Sequence, residues 1–342
     1  EIASASATAL QAKHSEDARG GSAPVAAEAQ ERYLQGRYFY DRRAPGDFER
    51  SAKYFQEAVA IDPGYARAWA ALSGAYRRLA WNGLTPDRDL QRRQGQAALK
   101  AVEIDPQLAV AHVYLSRYYS ETGHVAKAEE HLRQAAALDP DDTMVLDLSS
   151  FAAFSRGDIE GSLASQRRAV ALDPLNTMPR KNLGVLLMAS GNLDGAMSEF
   201  RKVLELSPAY GEDVETDIVS ILVLQRRYAE AKSAIDNFPP GKYRDRGIAL
   251  LHQPPGNPAA ADAALERLVA QVRKAGPGGD IMDTIRLAEV YAFRGMSKQA
   301  FTLLQEKRAA LEQDQESGTN WVWYLQLEAR VSPFLKPLHA DP

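Results

Sequence analysis

Proline returns at positions 63, 106, 140, 174 and 208, preceded by Asp at the first four and by Ser at the last. The steps are 43, 34, 34 and 34 residues. A fixed period in this range means that one helical or strand unit is stacked on copies of itself, because no single unit buries its apolar face alone. The residues between the prolines define the unit. From Gln107 to Pro140, Leu115 and Tyr119 share a helical face, Gly123 interrupts it, and Ala128, Leu132 and Ala135 form the stripe of a second helix. Small residues at Ser116, Ala128 and Ala135 let two backbones approach, while Leu115, Tyr119 and Leu132 fill the space between them. Pro140 has no N–H to donate and pushes Asp139 away from helical geometry, which ends the second helix.

This pattern resembles the tetratricopeptide-repeat (TPR) family, whose helix-turn-helix unit runs for about 34 residues. The matching residues are Trp69, Leu72, Ser73, Tyr76, Ala101 and Pro106, then Leu115 to Pro140 as above, then Leu183, Gly184, Leu187, Ala196, Phe200 and Pro208. Glycines 123, 157, 191 and 295 share one inter-helix turn slot, where freedom to adopt positive φ is useful. The resemblance implies an all-α fold, a right-handed solenoid of antiparallel helix pairs, with roughly seven repeats and a C-terminal capping helix.

The departures are local. The 43-residue step contains "RRLAWNGLTPDRDLQRR", in which Gly83 is expected to end a lengthened first helix and Thr85-Pro86 to cap and begin the second. Residues 1–28 read as a short helix and linker, 29–238 as repeats, 239–318 as diverged repeats and 319–342 as a cap. The diverged part regains the pattern at Leu287, Ala288, Tyr291, Ala300 and Leu304. Trp321, Trp323 and Tyr324 are expected to pack on the last repeat; a homodimer through this aromatic helix is the alternative.

Motifs of chemistry are missing. There is no Gly-rich phosphate loop, no G-x-S-x-G elbow and no H-E-x-x-H helix, so an enzyme is not expected. With no cysteine, disulfides and Cys-zinc sites are excluded. His124 and His131 read as solvated surface side chains, and the carboxylates of 139–142 as helix-dipole partners, so no metal or cofactor is expected. Arg156-Gly157-Asp158 spells an adhesion tripeptide, but its Gly sits in the shared turn slot. A net charge of −4 gives no general drive toward nucleic acid, and no apolar run is long enough to span a membrane.

A stack of helix pairs lines its concave side with the first helix of each pair. The side chains one helical face from the packing positions are Arg67, Ala70, Gly74, Arg77 and Arg78, then Val110, Val113, Arg117 and Ser120. The next repeats contribute Met144, Asp147, Phe151 and Phe154, then Met178, Lys181, Val185 and Met188. Some of these residues could instead fill the core of a tight superhelix. This face is basic toward its N-terminal side and rich in Met and Phe in its middle, which suits an irregular protein or peptide partner whose acidic groups would face the arginines. A small-molecule ligand held in the groove or in the diverged repeats is the alternative.

Residues 1–13, the segment "YLQGRYFYDRRAPGDFERSAKYFQEAVAIDPGYARAWAALSGAY" and the terminal "SPFLKPLHADP" are similar to the C-terminal TPR region of large bacterial regulators. In those proteins a winged-helix, adenylate cyclase or kinase domain precedes the array, often with a membrane segment between. The resemblance implies a sensory or partner-binding module in signalling or transcription regulation. It would be periplasmic in the membrane-spanning members and cytoplasmic otherwise. The chain opens on Glu1 without a Met or a signal-peptide layout, as a piece of a longer protein would.

Overall fold

A computed structural model describes residues 25–42, 44–80, 87–208, 211–252, 256–276 and 279–313, with 325, 329, 332–336 and 338 of the C-terminal part. These residues form sixteen α-helices and no strand. In order they are α1 (Ala27–Arg42), α2 (Asp47–Ile61), α3 (Ala66–Ala80), α4 (Arg88–Ile104), α5 (Ala109–Glu121) and α6 (Val125–Leu138). Then come α7 (Thr143–Ser155), α8 (Ile159–Leu172), α9 (Thr177–Ser190), α10 (Leu193–Leu206) and α11 (Gly211–Leu224). The last are α12 (Tyr228–Asp236), α13 (Lys242–Leu250), α14 (Pro258–Ala275), α15 (Ile281–Phe293) and α16 (Ser297–Gln313). They make eight antiparallel pairs where the sequence pattern gives roughly seven. The 239–282 stretch holds a full pair, α13 with α14, whose helices begin and end without the repeated proline.

The repeated Asp-Pro now has a local cause. Asp62, Asp105, Asp139 and Asp173 each close a helix in extended geometry, with φ between −145° and −129°. That is the conformation a following proline imposes. Three of these carboxylates then accept the backbone N–H two residues on, at Gly64, Gln107 and Asp141, and so turn the chain into the next repeat. Side-chain caps start two of the four following helices: Asp142 accepts from the Met144 and Val145 amides, and Asn176 from Met178. Asp158 of the Arg-Gly-Asp sequence caps α8 through the Gly161 amide, a structural duty. The cap of α4 is Asp87, which accepts from Leu90 N at 3.0 Å, in place of the expected Thr85; residues 81–86 lie outside the described residues.

Within a pair, one position recurs. Ser73, Ser116 and Ser150 each donate to a carbonyl of the partner helix, on Gln94, Ala128 and Ser162, at 2.7–3.0 Å. The next repeat has Gly184 there instead, and a Cβ on it would lie 2.7 Å from the Phe200 ring. The position therefore tolerates only a small side chain, with either a hydroxyl bond or an aromatic ring closing the contact. Between pairs, first helices of neighbouring pairs also touch, as in α3 with α5, α5 with α7 and α13 with α15. Residues of the first helices from α3 to α15 line one common inner wall. Among the described residues, no helix is long and apolar enough to cross a membrane.

Candidate functional site

The inner wall encloses a groove of about 830 Å³ that runs from α1 and α3 to α15. Ten of the twelve residues expected to bind a partner line it: Arg77, Arg78, Arg117, Met144, Phe151, Phe154, Met178, Lys181, Val185 and Met188. Two do not. Val113 is fully buried against Ala135, Val145 and Leu148, because α5 is packed on both sides and turns this residue into the inter-repeat core. Arg67 sits in the first turn of α3, outside the groove, since that turn precedes the stretch facing α1 and α5. Phe154 and Met188 line the groove but are largely packed into the central core, so the half-buried Met144, Phe151, Met178 and Val185 make its apolar floor.

At the N-terminal end, Tyr40 and Tyr114 meet Arg77, Arg78 and Arg117. Gly74 makes this possible, because a Cβ there would stand 2.6 Å from the Tyr114 hydroxyl. Burial alone would raise the Tyr40 phenol, but the guanidinium groups of Arg78 and Arg77 outweigh it and hold the phenol below its ordinary value. Burial, with Tyr40 beside it, pushes Tyr114 well above. The basic cluster foreseen here is largely neutralised. Arg77 Nε donates to Glu121 at 2.6 Å and Arg117 to Asp147 at 3.2 Å, while Asp147 also accepts from Gln166 and Asn182. Arg117 is therefore a framework residue as well as a groove residue, and reversing its charge would set it against Asp147 and Glu121. Arg78 differs: it bonds Tyr40, lies 6.0 Å over the Phe48 ring and pairs with no carboxylate among the described residues.

The C-terminal end carries a second ionic cluster that the sequence did not reveal. Lys181 and Arg286 both turn to Asp213, and Arg246, buried, donates to Glu289 at 2.8 Å and to Ser220 at 2.9 Å. Asp217 faces the same space and accepts no hydrogen bond among the described residues. Burial and the neighbouring Asp213 raise its carboxyl to about 7, although Lys181, Arg246 and Arg286 oppose the shift.

The chain's own tail closes this end. Ser332 Oγ donates to Glu289 at 2.6 Å, and the Phe334 ring meets Phe293 edge-on at 5.5 Å with the Arg246 guanidinium over it. Leu335 and Leu338 are buried against α15, and Lys336 Nζ reaches back to the Ala189 carbonyl at the end of α9, 2.7 Å away. The expected cap is thus partly a return of the chain into the groove. Trp321, Trp323 and Tyr324, with the expected self-association face, lie outside the described residues, as do residues 1–24.

Away from the groove, His131 is not the solvated side chain expected. It stacks on Tyr119 and makes a 3.0 Å contact with the buried His112 ring, whose other nitrogen lies 2.9 Å from the Pro106 carbonyl. Burial and His112 lower its proton affinity. His124, exposed, matches the expectation. Among the described residues no cluster of His, Asp and Glu has the spacing of a metal site.

Comparison with known proteins agrees with this architecture. Residues 109–142 and 182–210 each match a family model of the tetratricopeptide repeat. The chain carries tetratricopeptide repeats at these two segments, and its helix pairs stack as an all-α TPR superhelix. Human IFIT1, solved as a dimer with m7Gppp-AAAA, is similar over 84% of this chain and 72% of its own, with a TM-score of 0.57 and 14% identity. PilF of Pseudomonas aeruginosa is similar over 62% of this chain and 93% of its own, with a TM-score of 0.50 and 20% identity. The Cut9–Hcn1 hetero-tetramer of the APC/C covers 70% of this chain and 46% of its own, at a TM-score of 0.50 and 18% identity. At these identities the likeness concerns the fold. No curated protein matches the sequence.

Proposed function

We propose that this chain is a non-enzymatic binding scaffold whose groove holds an extended segment of a protein partner, as the partner-binding module of a bacterial signalling or transcription regulator. One observation supports this most: an apolar floor of Met144, Phe151, Met178 and Val185 lies open between two charged ends, along a wall built from successive first helices. Adaptable methionines and a half-buried Phe are suited to side chains of varied shape. The wall carries six cations, Arg77, Arg78, Arg117, Lys181, Arg246 and Arg286, against the five carboxylates of Glu121, Asp147, Asp213, Asp217 and Glu289. That near balance disfavours a polyphosphate backbone, which needs a concentrated basic surface, and separates this groove from one holding RNA. A second reading, a small-molecule sensor, is favoured by the cavity volume, which falls within the range of ligand clefts. For a regulator of the membrane-spanning kind the module would lie in the periplasm.

Selection of displayed peptides on the purified chain separates the readings. The scaffold reading expects recovered peptides to share an apolar core and to lose at least about tenfold in affinity on Phe151→Asp, mostly through faster release. Peptides that bind Phe151→Asp and the parent chain equally would remove the groove as the site. Stabilisation by a metabolite set, with no peptide recovered, would favour the sensor.

A further inference from the structure

Two ionisable groove side chains, one at each end, have no ion pair of their own among the described residues. On α3, Arg78 has a tyrosine hydroxyl and an aromatic face for company but no carboxylate among the described residues. On α11, Asp217 has no hydrogen-bond donor among the described residues, since Lys181 and Arg286 are held by Asp213, and Arg246 by Glu289 and Ser220. Every other charged group named on the groove wall has an opposite partner. A half-buried ionisable group without a direct ion pair has lost hydration that its neighbours replace only in part, so a ligand group of opposite sign is favoured there more than on the exterior. Between the two lies the apolar floor.

From this we infer that the groove's occupant is a bipolar segment: an acidic residue against Arg78, apolar side chains across Met144, Phe151 and Val185, and a basic residue against Asp217. The inference rests on the scaffold reading and adds to it the partner's charge pattern and its direction along the array. Electrostatic matching of this kind sets orientation and excludes partners that would bring like charges together. The groups around Asp217 fix its pH behaviour. Burial, with Asp213 on its own helix, holds the carboxyl near 7, while Lys181 from α9, Arg246 from α13 and Arg286 from α15 favour ionisation. A partner cation would add to those three, so its binding should strengthen as pH rises through about 7.

The test uses four synthetic peptides with one shared apolar core, titrated by fluorescence anisotropy into the full chain at low salt. Their ends are Glu and Lys, Glu and Glu, Lys and Lys, or Ser and Ser. The bipolar peptide is expected to bind about tenfold tighter than the Ser-ended one. Arg78→Gln should remove only the gain from the Glu end, and Asp217→Asn only the gain from the Lys end. The Lys-dependent gain should grow from pH 6 to pH 8, while the Ser-ended peptide stays flat. Circular dichroism and melting of each variant confirm that the helices are intact. Equal binding of the Ser-ended, like-ended and bipolar peptides would overturn the inference and leave the scaffold reading standing. Failure of all four to bind would overturn both.

Discussion

The middle of the array and its last three pairs solve the same packing problem in different ways. From α5 to α10 the helices are 13–14 residues long, the turns carry Gly123, Gly157 and Gly191 at φ of 77–89°, and Asp-Pro or Ser-Pro closes each repeat. From α11 onward the helices range from 9 to 18 residues, and Arg226 occupies the turn slot at φ 59°. Yet this irregular part contributes Asp213, Asp217, Arg246, Arg286 and Glu289 to the groove, where the regular pairs α7 to α10 contribute mainly its apolar floor. Regularity goes with repeat-to-repeat fit, while the diverged pairs add a second ionic cluster to the charges that Arg117, Glu121, Asp147 and Lys181 already bring from the regular repeats.

Six substitutions would break or sharpen that contrast. The largest effect is expected from Arg246→Met in the diverged part. It leaves Glu289 buried without its cation, at a cost of about 3 kcal/mol or more by denaturant unfolding, and an unchanged midpoint would mean that the ionic cluster adds no stability. In the regular part, Ala135→Leu should cost about 1–3 kcal/mol, because Ala135 is fully buried against Val113 and Val145. Glu129→Leu on the exposed outer side should cost little; equal losses would contradict the packing described.

Asp217→Asn should act through pH. The folded carboxyl sits near 7, above its unfolded value, so the folded chain binds more protons between about pH 4 and pH 7 and loses stability as pH rises across that window. Asn should therefore stabilise the chain by about 1–2 kcal/mol at pH 8 and by almost nothing at pH 4. A gain that is the same at both pH values would show that Asp217 ionises freely. The smallest effect belongs to the turn slot. Arg226→Gly relieves a left-handed non-glycine residue and should raise stability by about 1 kcal/mol, whereas Gly191→Ala should lower it by a similar amount. Opposite signs at equivalent turns would tie the divergence to a local backbone cost.

Much of this was legible from local chemistry. The Asp-Pro closure, the glycine turn slot and the small Ser or Gly contact all depend on residues a few positions apart, and the sequence pattern places them correctly. The groove's inner face was legible too, because one helical register per repeat is enough to choose a side. What was hidden depends on curvature. Whether Arg77 finds Glu121, 44 positions away, or Arg286 finds Asp213, 73 positions away, follows from how far the stack bends between repeats. The same ignorance made the arginines of α3 and α5 look free and Val113 look exposed. His131 was misjudged because its partner, His112, comes from the facing helix of the same pair.

The bond from Lys336 to the Ala189 carbonyl joins points 147 residues apart and skips over three helix pairs. An open solenoid behaves mechanically as springs in series: each repeat is held by its neighbours alone, and the stack can peel from either end. A tail fastened across the middle turns the C-terminal half into a loop. Stretching that half then loads the fastening first, and the repeats inside it can extend only after it yields. The last three pairs, irregular and weakly templated by their sequence, are thereby held at a fixed curvature by a short stretch of chain that belongs to none of them.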